Sequence, residues 1–149
     1  MKKNILLTSF VCFGLLISLT SFSPSTGLDK DVLKFTNEFR RSKGLTALIE
    51  NKDLDEIARK HSEDMARGRA SFGHTGFNQR MDKARRSIKG MGTFAENVAY
   101  GVNTGKAVVS LWKNSSGHRT NMLGNYRFIG IGTAQDRRGA IYYTQVFAN

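Results

Sequence analysis

The sequence predicts an α+β fold, and three observations predict it. Apolar residues recur at helical spacing in three separate segments. Two alternating runs close the chain with a turn-forming stretch between them. Strands and helices do not alternate along the chain, so a parallel βα repeat is not expected.

The first helix is expected over residues 28–41, where Leu28, Val32, Phe35 and Phe39 fall near the 3.6 period, with Gly44 as its stop. A connector follows over 45–50, with Leu45 and Leu48 turned inward. Asp53 reads as the N-cap of a second helix, with Glu56 three residues on as in a capping box. Leu54, Ile57, Ala58, His61 and Met65 line its inner face, and Gly68 ends it. Residues 69–95 are irregular apart from a short basic helix over 78–87. A strand is expected over 95–100. Thr104 then caps a helix reaching about Ser115, with Val108, Leu111 and Trp112 on its apolar face and Ser115 on the same side. Residues 118–123 form a short turn or helix. Strands over 128–134 and 140–147 complete the chain, joined through Asp136-Arg137-Arg138-Gly139. Periodicity places Phe35, Phe39, Leu54, Met65, Val108, Trp112, Ile129, Ile131 and Val146 in the core.

At 149 residues, 40% apolar and 23% charged with one proline, the chain has room for one folded domain and is not disordered. Met1-Lys2-Lys3-Asn4 precedes an uncharged stretch from Ile5 to Phe22, and small residues follow from Ser21 to Gly27. That order reads as a secretory leader over residues 1–27. Removing it leaves a single domain of 122 residues over 28–149. The cut also takes the lone cysteine, Cys12, so no disulfide can form. Lys2 and Lys3 go too, leaving 21 basic against 12 acidic residues, a formal charge of +9. No further run of about 20 apolar residues occurs, so no membrane span is expected in the mature chain, and a monomer is expected. The charge allows an anionic partner without choosing one.

Three histidines carry the candidate chemistry. His61 lies on the apolar face of a helix and reads as a packed residue. His74 stands between Gly73 and Gly76 in a loop, and His118 follows Gly117; both are presented rather than packed. Glu96 is the one acid inside an apolar run, where a charge is costly unless paired or metal-bound. It is the candidate catalytic acid or base. No local metal-ligand spacing and no Gly-x-Ser-x-Gly elbow is present. Gly130-Ile131-Gly132 lies inside a strand and is not a phosphate loop. Arg80, Lys83, Arg85, Arg86 and Lys89 form the densest basic cluster, read as a solvated helix face. No aromatic stacking pattern accompanies it, which argues against specific nucleic-acid recognition.

Taken in order, these segments resemble the CAP superfamily, the group named for cysteine-rich secretory proteins, antigen 5 and plant pathogenesis-related proteins. The resemblance begins at Phe35-Thr36-Asn37-Glu38-Phe39-Arg40 and Ala58-Arg59-Lys60-His61. It continues through Phe72-Gly73-His74, Ala95-Glu96-Asn97-Val98-Ala99 and Ser116-Gly117-His118-Arg119-Thr120-Asn121. It closes on Ile129-Gly130-Ile131-Gly132 and Tyr142-Tyr143-Thr144-Gln145-Val146-Phe147, and the lack of cysteines in the body matches the short bacterial branch.

The resemblance implies a three-layer α-β-α sandwich with a central antiparallel sheet and an open cleft. It implies a cleft floor of two histidines and two glutamates. The first histidine falls at His74, the first glutamate at Glu96 and the second histidine at His118; the second glutamate position holds Ser115. His74 and His118 are then the expected metal ligands, for Zn²⁺ as reported in the family, with one carboxylate missing. The function implied is an exported binding domain, secreted or periplasmic, for a lipid, a sterol or a cell-envelope ligand; the +9 charge adds an anionic cell-envelope polymer as a further candidate partner. The alternative is a metal-dependent hydrolase acting on peptide or nucleic-acid bonds, with Glu96 activating water.

Overall fold

A computed structural model describes residues 26–149. The expected leader lies outside the described residues except for its last two, Thr26 and Gly27, which open the first helix. The elements are α1 (Thr26–Arg41), β1 (Ile49–Glu50), α2 (Lys52–Ala66), α3 (Phe77–Ser87), β2 (Phe94–Tyr100), α4 (Gly105–Asn114), α5 (Ser116–Leu123), β3 (Phe128–Gln135) and β4 (Ile141–Ala148).

The strands form one sheet in the order β1-β3-β4-β2. β3 and β4 pair antiparallel from Phe128↔Ala148 to Gln135↔Ile141, and β2 pairs antiparallel with β4 from Phe94↔Ala148 to Tyr100↔Tyr142. The expected wholly antiparallel sheet needs a correction. The connector over 45–50 contributes β1, two residues that run parallel to β3. Two residues of alternation are too few to register as a strand in the sequence.

Side-chain alternation sorts the core onto the two faces of the sheet. Ile129 and Ile131 of β3, and Tyr143 and Phe147 of β4, pack with Val32 and Phe39 of α1, Val108 and Trp112 of α4 and Met122 of α5. Val146 and Ala148 of β4 face the other way, onto Leu54, Ile57 and Ala58 of α2 and Ala84 of α3. The result is the α-β-α sandwich. Of the expected core residues, Phe35 is only partly buried and packs at the margin. Leu111, expected on the inner face of α4, is exposed, and Val109 is buried in its stead.

Side-chain caps explain the starts of two helices, α4 and α2. Thr104 caps α4 by accepting the Ala107 N–H. The N-cap of α2 is Asn51 rather than Asp53: its Oδ1 accepts the backbone N–H groups of Asp53 and Leu54. Asn and Asp are near-equal caps, so composition could not separate two candidates two residues apart. The turn between β3 and β4 closes as expected. Asp136 Oδ1 accepts from the backbone N–H of Arg138 and Ala140, and Gly139 takes φ +88°.

Two glycines let α2 lie directly on the sheet. A Cβ on Gly130 would stand 2.2 Å from the Leu54 carbonyl carbon, and one on Gly132 would stand 2.0 Å from the Arg59 nitrogen. The Gly-Ile-Gly pattern is therefore a packing device in which the backbone of a helix meets the backbone of a strand.

β3 is flanked by β1 only at its start, and carboxylates cover the edge beyond. Asp55 Oδ1 accepts the Ile131 N–H at 2.8 Å. Asp29, on α1, hydrogen bonds with the Thr133 side chain. Burial pushes the Asp29 carboxyl up to about 6, and the nearby Asp55 and Glu50 charges add to the shift. Burial does the same to Asp55, also to about 6. A carboxyl whose folded pKa is raised stabilises the fold when protonated. That contribution is full below its unfolded value near 4 and is lost as pH rises through about 6. Asp29→Asn is therefore expected to stabilise the protein at pH above about 6 by about 1–2 kcal/mol. The gain over wild type should vanish toward pH 4. Urea unfolding of both proteins across that range checks it; a gain that is equally large at both ends excludes the assignment.

Candidate functional site

β2 is the edge strand beside β4, and its alternation sends Glu96 to the α2–α3 side and Asn97 to the α4–α5 side. The candidate site is built across this edge.

Glu96 is buried, with its side chain fully enclosed. Arg80 holds it bidentately: Nε donates to Oε2 at 2.6 Å and Nη2 to Oε1 at 2.7 Å. His74 Nδ1 lies 2.9 Å from Oε1. A carboxylate accepts, so that nitrogen carries the proton, and Nε2 is the ring atom left for a ligand. His74 itself is half-exposed. Arg80 Nη1 also donates to the Thr75 carbonyl at 2.8 Å, which ties the His74 loop to α3.

His61 stands behind this group. Its Nε2 donates to the Gly73 carbonyl at 2.8 Å and lies 3.9 Å from Glu96 Oε1. Burial, then the Arg80 charge, pull its pKa below the ordinary imidazole value, so it stays neutral and fixes the loop.

On the other side, Asn97 Nδ2 donates to the His118 carbonyl at 3.1 Å, and Asn121 Nδ2 donates to the Glu96 carbonyl at 3.1 Å and to Asn97 Oδ1 at 2.9 Å. These bonds fasten α5 to β2. Trp112 Nε1 reaches the Val98 carbonyl at 3.3 Å. Arg40 anchors the far end of α5: its Nη1 donates to the Met122 and Gly124 carbonyls at 2.8 and 2.9 Å. His118 Nδ1 is buried with no hydrogen-bond partner. Burial, and after it the His74 charge, lower the His118 pKa. Ser115 is half-buried at the junction of α4 and α5, where it caps α5 without a side-chain cap bond.

Thus His74 bonds directly to Glu96, His118 is tethered one residue away through Asn97, and Ser115 begins the helix that carries His118. The ring edge of Phe72 meets Tyr100 at 4.8 Å between centroids, and Tyr100 stacks on Tyr142 at 5.4 Å. Phe72 and Tyr100 are both about half-exposed, which places an aromatic ledge beside the His74 loop.

The donor set does not fit a metal centre as arranged. Both Glu96 oxygens face the Arg80 guanidinium, and His74 Nδ1 is committed to the same carboxylate. A cation on Glu96 would stand against a permanent positive charge. Among the described residues no group of three or more His, Cys, Asp or Glu could hold a metal ion. The chemistry open to the site is reversible hydrogen bonding by His74 Nε2, on the half-exposed imidazole.

Arg80 is the residue that the charge pattern misplaces. A solvated face is expected for the whole basic cluster, yet Arg80 turns inward while Lys83 and Arg85 remain outside. Its spacing to Phe77 and Ala84, three before and four after, puts it on the inner stripe of α3 and could have found it.

Comparison with known proteins agrees with this architecture. The cysteine-rich secretory protein family, CAP, matches residues 33–147, and the chain belongs to this family. The Bacillus subtilis protein YkwD is 33% identical over 131 residues, covering 85% of this chain and 50% of YkwD. The B. subtilis membrane protein YlbC is 34% identical over 125 residues, covering 82% of this chain and 34% of YlbC. The chain thus spans half the length of the first relative and about a third of the second. An outer surface protein from Borrelia burgdorferi shares the fold at TM-score 0.75 and 18% identity, over 86% of this chain and 98% of that one. An extracellular SCP-domain protein from Bacillus anthracis matches at TM-score 0.68 and 28% identity, over 81% of this chain and 40% of that one. No helix among the described residues is long and apolar enough to cross a membrane.

Proposed function

We propose that this chain is an exported CAP-domain binding module whose cleft along β2 takes a lipid or cell-envelope ligand, rather than an enzyme. One observation carries the reading. Glu96, the only acid of the site, is enclosed and bound by both Arg80 and His74, so it acts as a structural counter-charge and not as a free base. Ser115 supplies no second carboxylate. What faces outward is His74 Nε2, with the Phe72 and Tyr100 rings beside it, a pairing of one polar tip with an apolar ledge that suits an amphipathic ligand.

The test is extraction and mass spectrometry of small molecules that co-purify with the exported protein. The wild type is expected to carry an enriched species that His74→Ala and Tyr100→Ala both lose. Turnover on a panel of peptide, ester and nucleic-acid substrates that Glu96→Gln abolishes would overturn the reading in favour of hydrolysis. Zinc binding in calorimetry that is lost in both His74→Ala and His118→Ala would establish the metal site that the arrangement disfavours.

A further inference from the structure

A second feature shares no residue with the cleft. The end of α2 and the β3–β4 turn enclose a groove of about 520 Å³ lined by Ala66, Arg67, Arg69, Asp136, Arg137 and Arg138. Two short basic segments, about 70 residues apart in the sequence, thus meet on one surface. We propose that this groove binds the phosphate groups of a polyanionic chain.

The turn does not need its arginines. Asp136 and Gly139 supply the turn geometry, the first through bonds to the N–H groups of Arg138 and Ala140, the second through its positive φ. The side chains at 137 and 138 are exposed, free of that work, and paired with no acid among the described residues. Arg69 keeps one nitrogen, Nε, on Asp64 at 2.8 Å, which orients its planar group and leaves the other nitrogens as donors. The single lining carboxylate, Asp136, accepts two backbone N–H bonds on Oδ1, so its one charge stands against those of Arg69, Arg137 and Arg138.

Guanidinium forks bind phosphate oxygens two at a time, and a cluster of them offers several such forks to successive phosphates of one chain. Apart from the methyl group of Ala66, the groove offers no apolar side chain to a bilayer. Among the described residues the exposed large apolar ones are Ile49, Phe72, Tyr100 and Leu111, and none lines it. It also offers no ring for a base to stack on, so nucleobases are not read. A phosphate-bearing polymer lying along the groove is the occupant that remains. The basic cluster on α3 is a weaker rival, since Arg80 is spent on Glu96, Lys83 lies 3.9 Å from Glu56 and Arg85 lies 3.5 Å from Asp82.

The experiment measures binding of labelled polyphosphate to the full chain across a salt series. Wild type, Arg137→Ala/Arg138→Ala and Arg86→Ala/Lys89→Ala are compared, the two variants removing equal charge. Thermal melts confirm that all three are folded. Salt-sensitive binding is expected, weakened about tenfold or more in the turn variant and within about twofold of wild type in the α3 variant. Equal losses in both variants would reduce the effect to overall charge and overturn the proposal, as would no binding by the wild type. Polyglutamate binding as tight as polyphosphate would refute the phosphate preference. Tighter binding to phosphatidylglycerol vesicles than to polyphosphate at equal phosphate would refute the polymer as the source.

Discussion

Arg80→Met is expected to be among the most damaging single substitutions in this protein, costing about 3–5 kcal/mol of stability. The cost comes from what stays behind. Glu96 has no exposed side-chain surface, and losing the bidentate guanidinium strands its charge in the interior. His74 would still reach Oε1, but a half-exposed imidazole is a weak substitute for a permanent cation. The same change frees the Thr75 carbonyl, so the His74 loop loses its tie to α3. Denaturant unfolding measures the loss. If Arg80→Met folds too poorly to be assayed, Arg80→Met/Glu96→Gln should recover most of the stability, because it removes the stranded charge as well. A single variant within about 1 kcal/mol of wild type, or a double variant no better than the single, would mean that the pair is not what holds the cleft floor.

Gly132→Ala should be of comparable severity by a purely steric route. The added Cβ would lie 2.0 Å from the Arg59 nitrogen and 2.2 Å from its Cα, both helix backbone atoms that cannot rotate away. α2 would have to lift from β3, opening the contacts of Leu54, Ile57 and Ala58 with Val146. Overpacking typically costs 1–3 kcal/mol, and a backbone clash at this distance belongs at or above about 3. Gly117→Ala is the matched control. It lies within α5 with nothing within 4 Å of the new Cβ, so it should be neutral or stabilising by up to about 1 kcal/mol. Parallel thermal melts would separate the two; similar melting temperatures for both variants would rule out the close helix–strand approach.

Both expectations concern features at the limit of what a sequence displays. The main helices and the closing hairpin are legible because Val32 with Phe39, Leu54 with Ile57, and Ile129 with Ile131 repeat at the spacing of their element. β1 is not, because two residues carry no period. Glu96 announces itself as an acid among apolar neighbours, yet its partner does not. Arg80 sits in a run of basic residues whose other members face water, and charge pattern alone cannot single out the one that turns in. Asn97, Asn121 and Arg40 are invisible for a related reason. Each acts by reaching a backbone carbonyl far along the chain, and any carbonyl is the same in every sequence. The pairing of His74 with Glu96 comes from family resemblance, since nothing in a 22-residue separation demands that they meet.

The treatment of the two outer strands has a further consequence. On β2 the outward carbonyls of Glu96 and Val98 are taken by Asn121 and Trp112, and on β3 the outward Ile131 N–H is taken by Asp55. A strand from a neighbouring copy would find these positions already engaged, and at β3 it would also meet negative charge. At these positions both rims of the sheet are blunted against the edge-to-edge pairing that begins fibrous aggregation.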